Sequence, residues 1–204
     1  MVFALARLTQ YTSLTMERLG KILGSPARLR LLRLFLFNKE TSFSVVEAAA
    51  RSSLDATVVR REVSDLHAGG LLVKRGVRSK TRYQLNSRFE HLAAFDRFIR
   101  DTTILSSHHI LGALKKAGSL RVIALSGLFT GALEAQIDLL IAGDNIDTRA
   151  LTRAIKVLEA DMGREIRYAV FETPDFRYRL GVYDRLLRDV FDYPHRLLID
   201  RIGL

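Results

Sequence analysis

The chain has 204 residues, 48% apolar and 26% charged, a composition typical of a globular protein with one large or two small domains. It contains no cysteine, which excludes disulfides, thiolate zinc sites and cysteine nucleophiles, and no apolar run reaches the roughly 20 residues of a membrane span. The start, MVFALARLTQYT, has no basic region before its apolar residues, so we predict no signal peptide and expect a cytoplasmic protein without a membrane partner.

The net charge of +10 is confined to the first half of the chain. Residues 1–100 hold 18 Lys/Arg against 8 Asp/Glu, whereas residues 101–204 hold 14 of each. Such a division favours a polyanion-binding module joined to a neutral one. A basic surface that only keeps the protein in solution is the alternative that composition leaves open.

Two helices are predicted early in the chain, after an N-terminal arm over residues 1–13 that is either disordered or part of a dimer interface. Ser25 can cap the first helix, with Pro26 at a position where its missing amide hydrogen costs nothing. Leu29, Leu32 and Leu36 then give this helix an apolar face. After the short link ETSFS, the run VVEAAARSS predicts a second, shorter helix.

A third helix and a hairpin follow. Asp55 can cap this helix, its inward side reads Val59, Val63 and Leu66, and the glycines at 69–70 end it. The short β-type runs LLVKRG and TRYQL flank the turn GVRSK. We therefore expect a β-hairpin with a basic tip.

This order of three helices and a basic hairpin, over residues 14–88, resembles the arsenic-repressor-type winged helix-turn-helix transcription regulators. The resemblance implies that the third helix enters the major groove of double-stranded DNA and that the hairpin lies on a flanking groove or the backbone. We expect bases to be read by the outer side of the helix, which consists of Thr57, Arg60, Arg61 and Ser64. Phosphates would be held by Lys74, Arg75, Arg78, Lys80 and Arg82. A solvated face of an ordinary helix is the competing interpretation.

Residues 89–118 form a predicted helical connector with an apolar side made by Phe89, Leu92, Phe95, Phe98 and Ile99. In the family that the chain resembles, a long apolar helix after the wing is a common dimerisation surface, and a homodimer would match a palindromic site. The pair His108-His109 points in directions about 100° apart on a helix, so we expect surface or packed histidines there and not metal ligands. His67 is expected to pack at a helix end.

Residues 119–204 alternate between strand-like and helical stretches. LRVIALSG, QIDLLIAG and REIRYAVFE are typical of strands, and the short run HRLLID comes near the end of the chain. A helix capped by Asp147 and closed by Gly163, and a second one within LGVYDRLLRDVFDY, lie between them. The chain as a whole is therefore predicted to be α+β, with a small mixed sheet in its second half.

Two stretches of this half, LSGLFTG…QIDLLIAGD and GREIRYAVFETPDFRYRL…DRLLRDVFDYPHRLLI, resemble the minimal nucleotidyltransferase domain. That family holds a triphosphate on a Gly-Ser turn after its first strand. Two acids separated by one residue, on the next strand, hold the magnesium that aligns the phosphates.

The match to this pattern is incomplete. Gly127 takes the place of the glycine, but Leu128 stands where the serine is expected, unless Ser126-Gly127 is a shifted remnant of the turn. Asp138 matches the second acid and Gln136 replaces the first. The third acid of the family would fall on Glu172. Loss of a metal-binding carboxylate is hard to reconcile with catalysis.

The sequence thus predicts a DNA-binding transcription regulator without a cofactor, whose second domain is an inactive nucleotidyltransferase-like module for ligand sensing, assembly or binding a protein partner through residues 119–204. Asp138 would then be a strand-end residue held by the amides of a turn. The alternative is a nucleotidyltransferase acting on nucleic acid or protein, with Asp138 and Glu172 as catalytic acids and with magnesium and a nucleoside triphosphate as cofactors.

Overall fold

The computed structural model describes residues 18–76, 81–103, 105–132 and 134–204. Within these ranges no helix is both long enough and apolar enough to cross a bilayer. The protein is α+β. Its helices are α1 Pro26–Phe37, α2 Val45–Ser52, α3 Ala56–Ala68, α4 Leu92–Thr102, α5 Ser107–Leu114, α6 Thr148–Met162, α7 Thr173–Gly181 and α8 Arg185–Asp192. Its strands are β1 Leu72–Arg75, β2 Arg82–Leu85, β3 Ser119–Leu125, β4 Leu139–Asp144, β5 Tyr168–Glu172 and β6 Arg196–Asp200.

The chain divides into two compact units that are not successive in sequence. Unit one comprises residues up to 109 together with 156–164, and unit two comprises 110–155 and 165–204. The predicted division at 118/119 therefore differs from the division into these two units. The last part of α6 groups with α1 and with the helices that follow α1 in unit one.

The helices of unit one begin where the sequence predicts. The Ser25 hydroxyl accepts a hydrogen bond from the Arg28 amide, with Pro26 in the first turn of α1. The Asp55 carboxylate accepts bonds from the Thr57 and Val58 amides at the start of α3. Both predicted caps are thus confirmed.

The strands β1 and β2 form the predicted antiparallel hairpin, in a register that pairs Leu72 with Leu85 and Arg75 with Arg82. Phe43 adds a single bridge to Tyr83 of β2. The core beneath is built from the inner faces of α1, α2, α3 and the hairpin.

The predicted connector is two helices, α4 and α5, separated by a break. Thr102 and Thr103 at the end of α4 donate their hydroxyls to backbone carbonyls one turn earlier, and the Ser106 hydroxyl accepts from the amide of His109 in α5. Side chains that compete for backbone groups in this way favour helix ends. Ile99 is buried in the core of unit one, and Leu92 packs against that core, so this part of the apolar side is used within the unit.

Unit two is built on a four-stranded mixed sheet in the order β5-β4-β3-β6. β3 is antiparallel to β4 and to β6, while β4 and β5 are parallel. Phe176 of α7 and Leu187 and Val190 of α8 pack with residues of β3 and β4 in one core. The helix α7 and the strand β6 were not predicted from the sequence, whereas the strands β3, β4 and β5 and the helices α6 and α8 were.

The last turn of α6 is held in unit one by a network around Asp161. Its carboxylate accepts hydrogen bonds from Arg30 Nε at 3.0 Å and from His109 Nε2 at 2.9 Å. Arg33, which is almost fully buried, donates to the Asp161 carbonyl oxygen at 2.9 Å. Burial lowers the pKa of Arg33 to about 10, and the charge of Asp161 opposes that shift.

Candidate functional site

The helix α3 presents a polar side to solvent. Val59 and Val63 are 0% and 1% exposed, and Leu66 packs against the same core. The predicted outer residues Thr57, Arg60, Arg61 and Ser64 are all exposed. The 3.6-residue period of the inward positions fixes this arrangement, so the structure brings the four predicted base-reading residues together on one face.

Both acids of α3 are bonded to Arg28 of α1. The Glu62 carboxylate accepts hydrogen bonds from Ser25 Oγ at 2.8 Å and from Arg28 Nε at 2.7 Å, and Arg28 Nη2 reaches Asp65 Oδ2 at 2.8 Å. Burial raises the pKa of Glu62, but the bonds from Ser25 and Arg28 outweigh burial, so its pKa lies below the ordinary value and the group is ionised at neutral pH. Arg61, although exposed, also approaches Glu62 Oε1 at 3.6 Å.

The hairpin carries two more of the predicted residues on its exposed side. Lys74 and Arg75 are both exposed, and Arg75 Nε donates to Gln84 Oε1 on the opposite strand at 3.1 Å. Arg78 and Lys80, at the tip, lie outside the described residues.

Arg82 is tied to the start of α2. Its Nε donates to Ser42 Oγ at 2.9 Å, its Nη2 donates to the Ser42 carbonyl at 2.6 Å, and its guanidinium pairs with Glu47 at 2.7 Å. This side chain fixes the base of the hairpin against α2. A phosphate would have to share Arg82 with these partners.

His67, in the last turn of α3, contacts the hairpin. Its Nδ1 lies 2.8 Å from the Leu72 carbonyl oxygen, and its ring meets that of Tyr83 edge to face. The predicted packing at a helix end is confirmed for this residue.

In unit two, Asp138 is a fully buried carboxylate with four donors. Arg167 forms a two-pronged pair with it, Nη2 to Oδ1 at 2.8 Å and Nε to Oδ2 at 3.0 Å. The amides of Leu128 and Arg167 each add a bond of 2.9 Å. The hydrogen bond to Asp138 raises the pKa of Arg167. A metal at this carboxylate would have to displace Arg167.

The turn after β3 is shaped around Asp138. Gly127 has φ +47°, and a Cβ at that position would collide with the Asp138 carboxylate. The Ser126 hydroxyl, which is buried, has no hydrogen-bond partner among the described residues. Gln136 is exposed, and its backbone amide donates to Asp189 Oδ2 at 2.7 Å.

Glu172 lies at the other end of the paired strands. Leu139 is in register with Tyr168 and Gly143 with Glu172. Four residues of strand separate Glu172 from the end where Asp138 lies, a distance of about 13 Å at ~3.3 Å per residue. The structure therefore does not bring Asp138 and Glu172 to one metal. Among the residues described, no group of three His, Asp or Glu side chains is arranged to hold a metal ion.

Sequence reasoning missed two arginines that define these sites. Arg167 is 29 residues from Asp138, and Arg28 is 34 and 37 residues from Glu62 and Asp65. Neither pair has a local spacing that would reveal it.

No family model, curated protein or solved structure matches this chain, so the geometry above is the basis on which its function is proposed.

Proposed function

We propose that the protein is a DNA-binding transcription regulator that reads duplex DNA through α3. The observation that carries this proposal is the exposed polar face of α3, on which Arg60 and Arg61 stand outward while Glu62 and Asp65 are paired with Arg28. Arg28, Arg60 and Arg61 outnumber Glu62 and Asp65 by one charge, so this face offers the phosphate backbone a net positive surface. The succession of three helices and an antiparallel hairpin supports a winged helix-turn-helix arrangement.

In this proposal the contacts divide into two kinds. Arg60 or Arg61 makes the two-pronged contact with guanine, and Thr57 and Ser64 bond neighbouring base edges or phosphates. Lys74 and Arg75 of the hairpin hold phosphates and set the register, together with Arg78 and Lys80 at the tip. Arg82 acts mainly as the anchor of the hairpin on α2, because its donors already have partners.

We further propose that the regulator acts as a homodimer, since two copies related by a two-fold axis would place two α3 helices on a palindromic site. Unit two, in this proposal, is a nucleotidyltransferase-like module without turnover that serves assembly, ligand sensing or partner binding. The pairing of Asp138 with Arg167 supports this part, because it leaves the carboxylate no oxygen free of a donor.

The proposal is tested by fluorescence anisotropy with duplex DNA from the protein's own upstream region, measured across a salt series. We expect tight binding, a steep fall in affinity with salt and a preference over random duplex. Arg60→Ala/Arg61→Ala should lower that preference tenfold or more, since each base-reading pair is worth about 1–3 kcal/mol.

A matched control is Lys115→Ala/Lys116→Ala, which removes two exposed positive charges outside α3 and the hairpin. This variant should keep the preference for the upstream duplex. Two results would contradict the proposal that α3 reads DNA sequence: equal binding of the wild type to random and upstream DNA, or an unchanged preference in Arg60→Ala/Arg61→Ala. Magnesium-dependent transfer of a labelled nucleotide by the wild-type protein would contradict the proposal for unit two.

A further inference from the structure

Unit one contains a pocket of about 260 Å³ beside the C-terminal end of α3. Its apolar wall is formed by four leucines and two phenylalanines, Leu23, Leu32, Leu66, Leu71, Phe89 and Phe95. Small-molecule sites in proteins are typically concave and apolar, with a few polar groups at fixed places. The pocket has that composition, and none of the functions proposed above uses it.

The polar part of the wall is made of charged groups that already bond one another. Arg28 lines the pocket together with Asp65, to which its Nη2 donates at 2.8 Å. The Nε of Arg28 is bonded to Glu62 at 2.7 Å. A charged ligand would lose water and find its only opposite charge already paired, which is costly. The chemistry of the wall therefore selects an uncharged molecule.

The volume sets the size of that molecule. A dry apolar cavity of about 150 Å³ accommodates benzene, so the larger volume here suits about two fused rings. Aromatic ligands also gain from edge or offset contacts with phenylalanine rings. We propose that this pocket is a binding site for a small, uncharged aromatic molecule of about that size.

Indole is a suitable probe, because it is neutral, has two fused rings and fluoresces where this chain does not. The protein contains no tryptophan, so indole can be excited at wavelengths where tyrosine absorbs little. A change in indole emission on adding the protein then reports binding. We expect saturable binding of one indole per full-length chain. Benzoate and benzylamine, which carry opposite charges, should bind at least tenfold more weakly.

A substitution that fills the pocket gives a variant whose indole binding can be compared with that of the wild type. Gly69 lines the pocket, has φ −75°, and a Cβ there would meet nothing nearer than the Asp65 carbonyl oxygen at 3.5 Å. Gly69→Leu should therefore fold and weaken indole binding at least tenfold. Gly112→Leu makes the same change at a residue that does not line the pocket and where a Cβ has open space, and it should bind indole as the wild type does.

Circular dichroism and the melting temperature establish that Gly69→Leu is folded. If it is not, Leu23→Phe fills the pocket from a half-buried position instead. The proposal is overturned by non-saturable indole signals, by equal indole affinity in the filled and wild-type proteins, or by benzoate binding as tightly as indole.

Occupancy of the pocket would also be coupled to DNA binding, a step that rests on the proposed function. Asp65 and Leu66 belong to α3, and Gly69 caps it. By linkage, the factor by which indole changes the Kd for DNA equals the factor by which DNA changes the Kd for indole. An unchanged indole Kd in the presence of bound DNA would remove this regulatory step. Indole binding measured without DNA does not depend on it or on the proposed function.

Discussion

Arg167 contacts both carboxylate oxygens of Asp138, and two backbone amides complete the set of donors. A buried carboxylate without such partners would be too costly to keep ionised. With them, the residue joins the turn after β3 to the start of β5. These four hydrogen bonds indicate a structural role for Asp138 within unit two.

This role predicts a stability effect. Asp138→Asn removes the charge and turns amide hydrogens toward the Arg167 donors. We therefore expect the free energy of unfolding to fall by about 2–3 kcal/mol. The loss is smaller than for a fully buried pair because Arg167 is half exposed. Urea unfolding followed by circular dichroism measures this change. Gln136→Ala, at an exposed position two residues earlier, should shift stability by less than about 0.5 kcal/mol. An unchanged stability in Asp138→Asn would show that the carboxylate is not structural.

Arg28 plays a comparable part in unit one. One guanidinium bonds both acids of α3, so three arginines (Arg28, Arg60 and Arg61) stand against two acids here, although α3 itself holds acids and bases in equal numbers. Counting charges along the sequence does not show this, because it ignores which charges are already paired. The relevant quantity for a polyanion partner is the charge that remains uncompensated at the surface.

At the scale of elements, α6 ends with an acid where a helix disfavours one. The partial negative charge at a helix C-terminus repels Asp161, which is tolerated because Arg30 and His109 donate to its carboxylate. Burial raises the pKa of Asp161, but the hydrogen bond from His109 and the charge of Arg30 outweigh burial, so the pKa lies below its ordinary value.

The stabilisation that Asp161 contributes is expected to be lost at acidic pH. Because the folded-state pKa is depressed, Asp161 contributes its full stabilisation above the unfolded value of about 3.9 and loses it as the pH falls from there through the folded pKa. Asp161→Asn should lower the free energy of unfolding by about 2–4 kcal/mol at pH 7. Between pH 5 and pH 2.5 this variant should lose less stability than the wild type does.

Urea unfolding at a series of pH values measures both effects. Asp192→Asn is the matched control, since Asp192 is exposed and pairs only loosely with Arg188 at 3.5 Å. Its stability should follow the wild-type pH profile. A parallel profile for Asp161→Asn would mean that the network around Asp161 does not depend on its charge.

The elements that sequence reasoning predicted are those whose signals are local. Ser25, Asp55 and Asp147 cap helices within three residues of themselves, and the inward period of α3 lies within a single helix. The outer face of α3 could be predicted for the same reason. The helix α7 was missed because its stretch TPDFRYRLG has few buried apolar residues to reveal a helical period, Phe176 being the main one.

The interactions that escaped prediction connect distant residues. Arg82 bonds Ser42 across 40 residues, which changes its expected role from phosphate contact to anchor of the hairpin. Asp138 and Glu172 were grouped from the resemblance to a family, yet the register of β4 and β5 separates them. Pairing and register are set by tertiary packing, and a single sequence does not encode them in any local pattern.

At the scale of the whole molecule, unit one is completed by a segment from late in the chain. Residues 156–164 supply Asp161 to Arg30 and Arg33, and the Gly163 carbonyl accepts from Asn38 Nδ2 at 2.8 Å. A fragment that ends at the predicted boundary of residue 118 lacks all of these partners. The buried Arg33 guanidinium would then lose the Asp161 carbonyl.

We therefore expect fragment 1–118 to be less stable than unit one in the full chain, with amides of α1 that exchange at least tenfold faster by hydrogen–deuterium exchange. Arg33→Met supplies the check: it should speed exchange of these amides more in the full chain, where the guanidinium bonds the Asp161 carbonyl, than in the fragment, where that partner is absent. Equal protection of α1 in the fragment and the full chain would show that residues 156–164 do not stabilise unit one.

Because unit one contains two separated parts of the chain, it can be completed only after residue 164 has been synthesised. Unit one cannot close when residue 109 leaves the ribosome, because its last segment ends at residue 164. At a translation rate of about 5–20 residues per second, the intervening 55 residues take several seconds. During that interval the nascent first half lacks Asp161, to which Arg30 and Arg33 donate in the folded chain, and a slower ribosome would prolong that state.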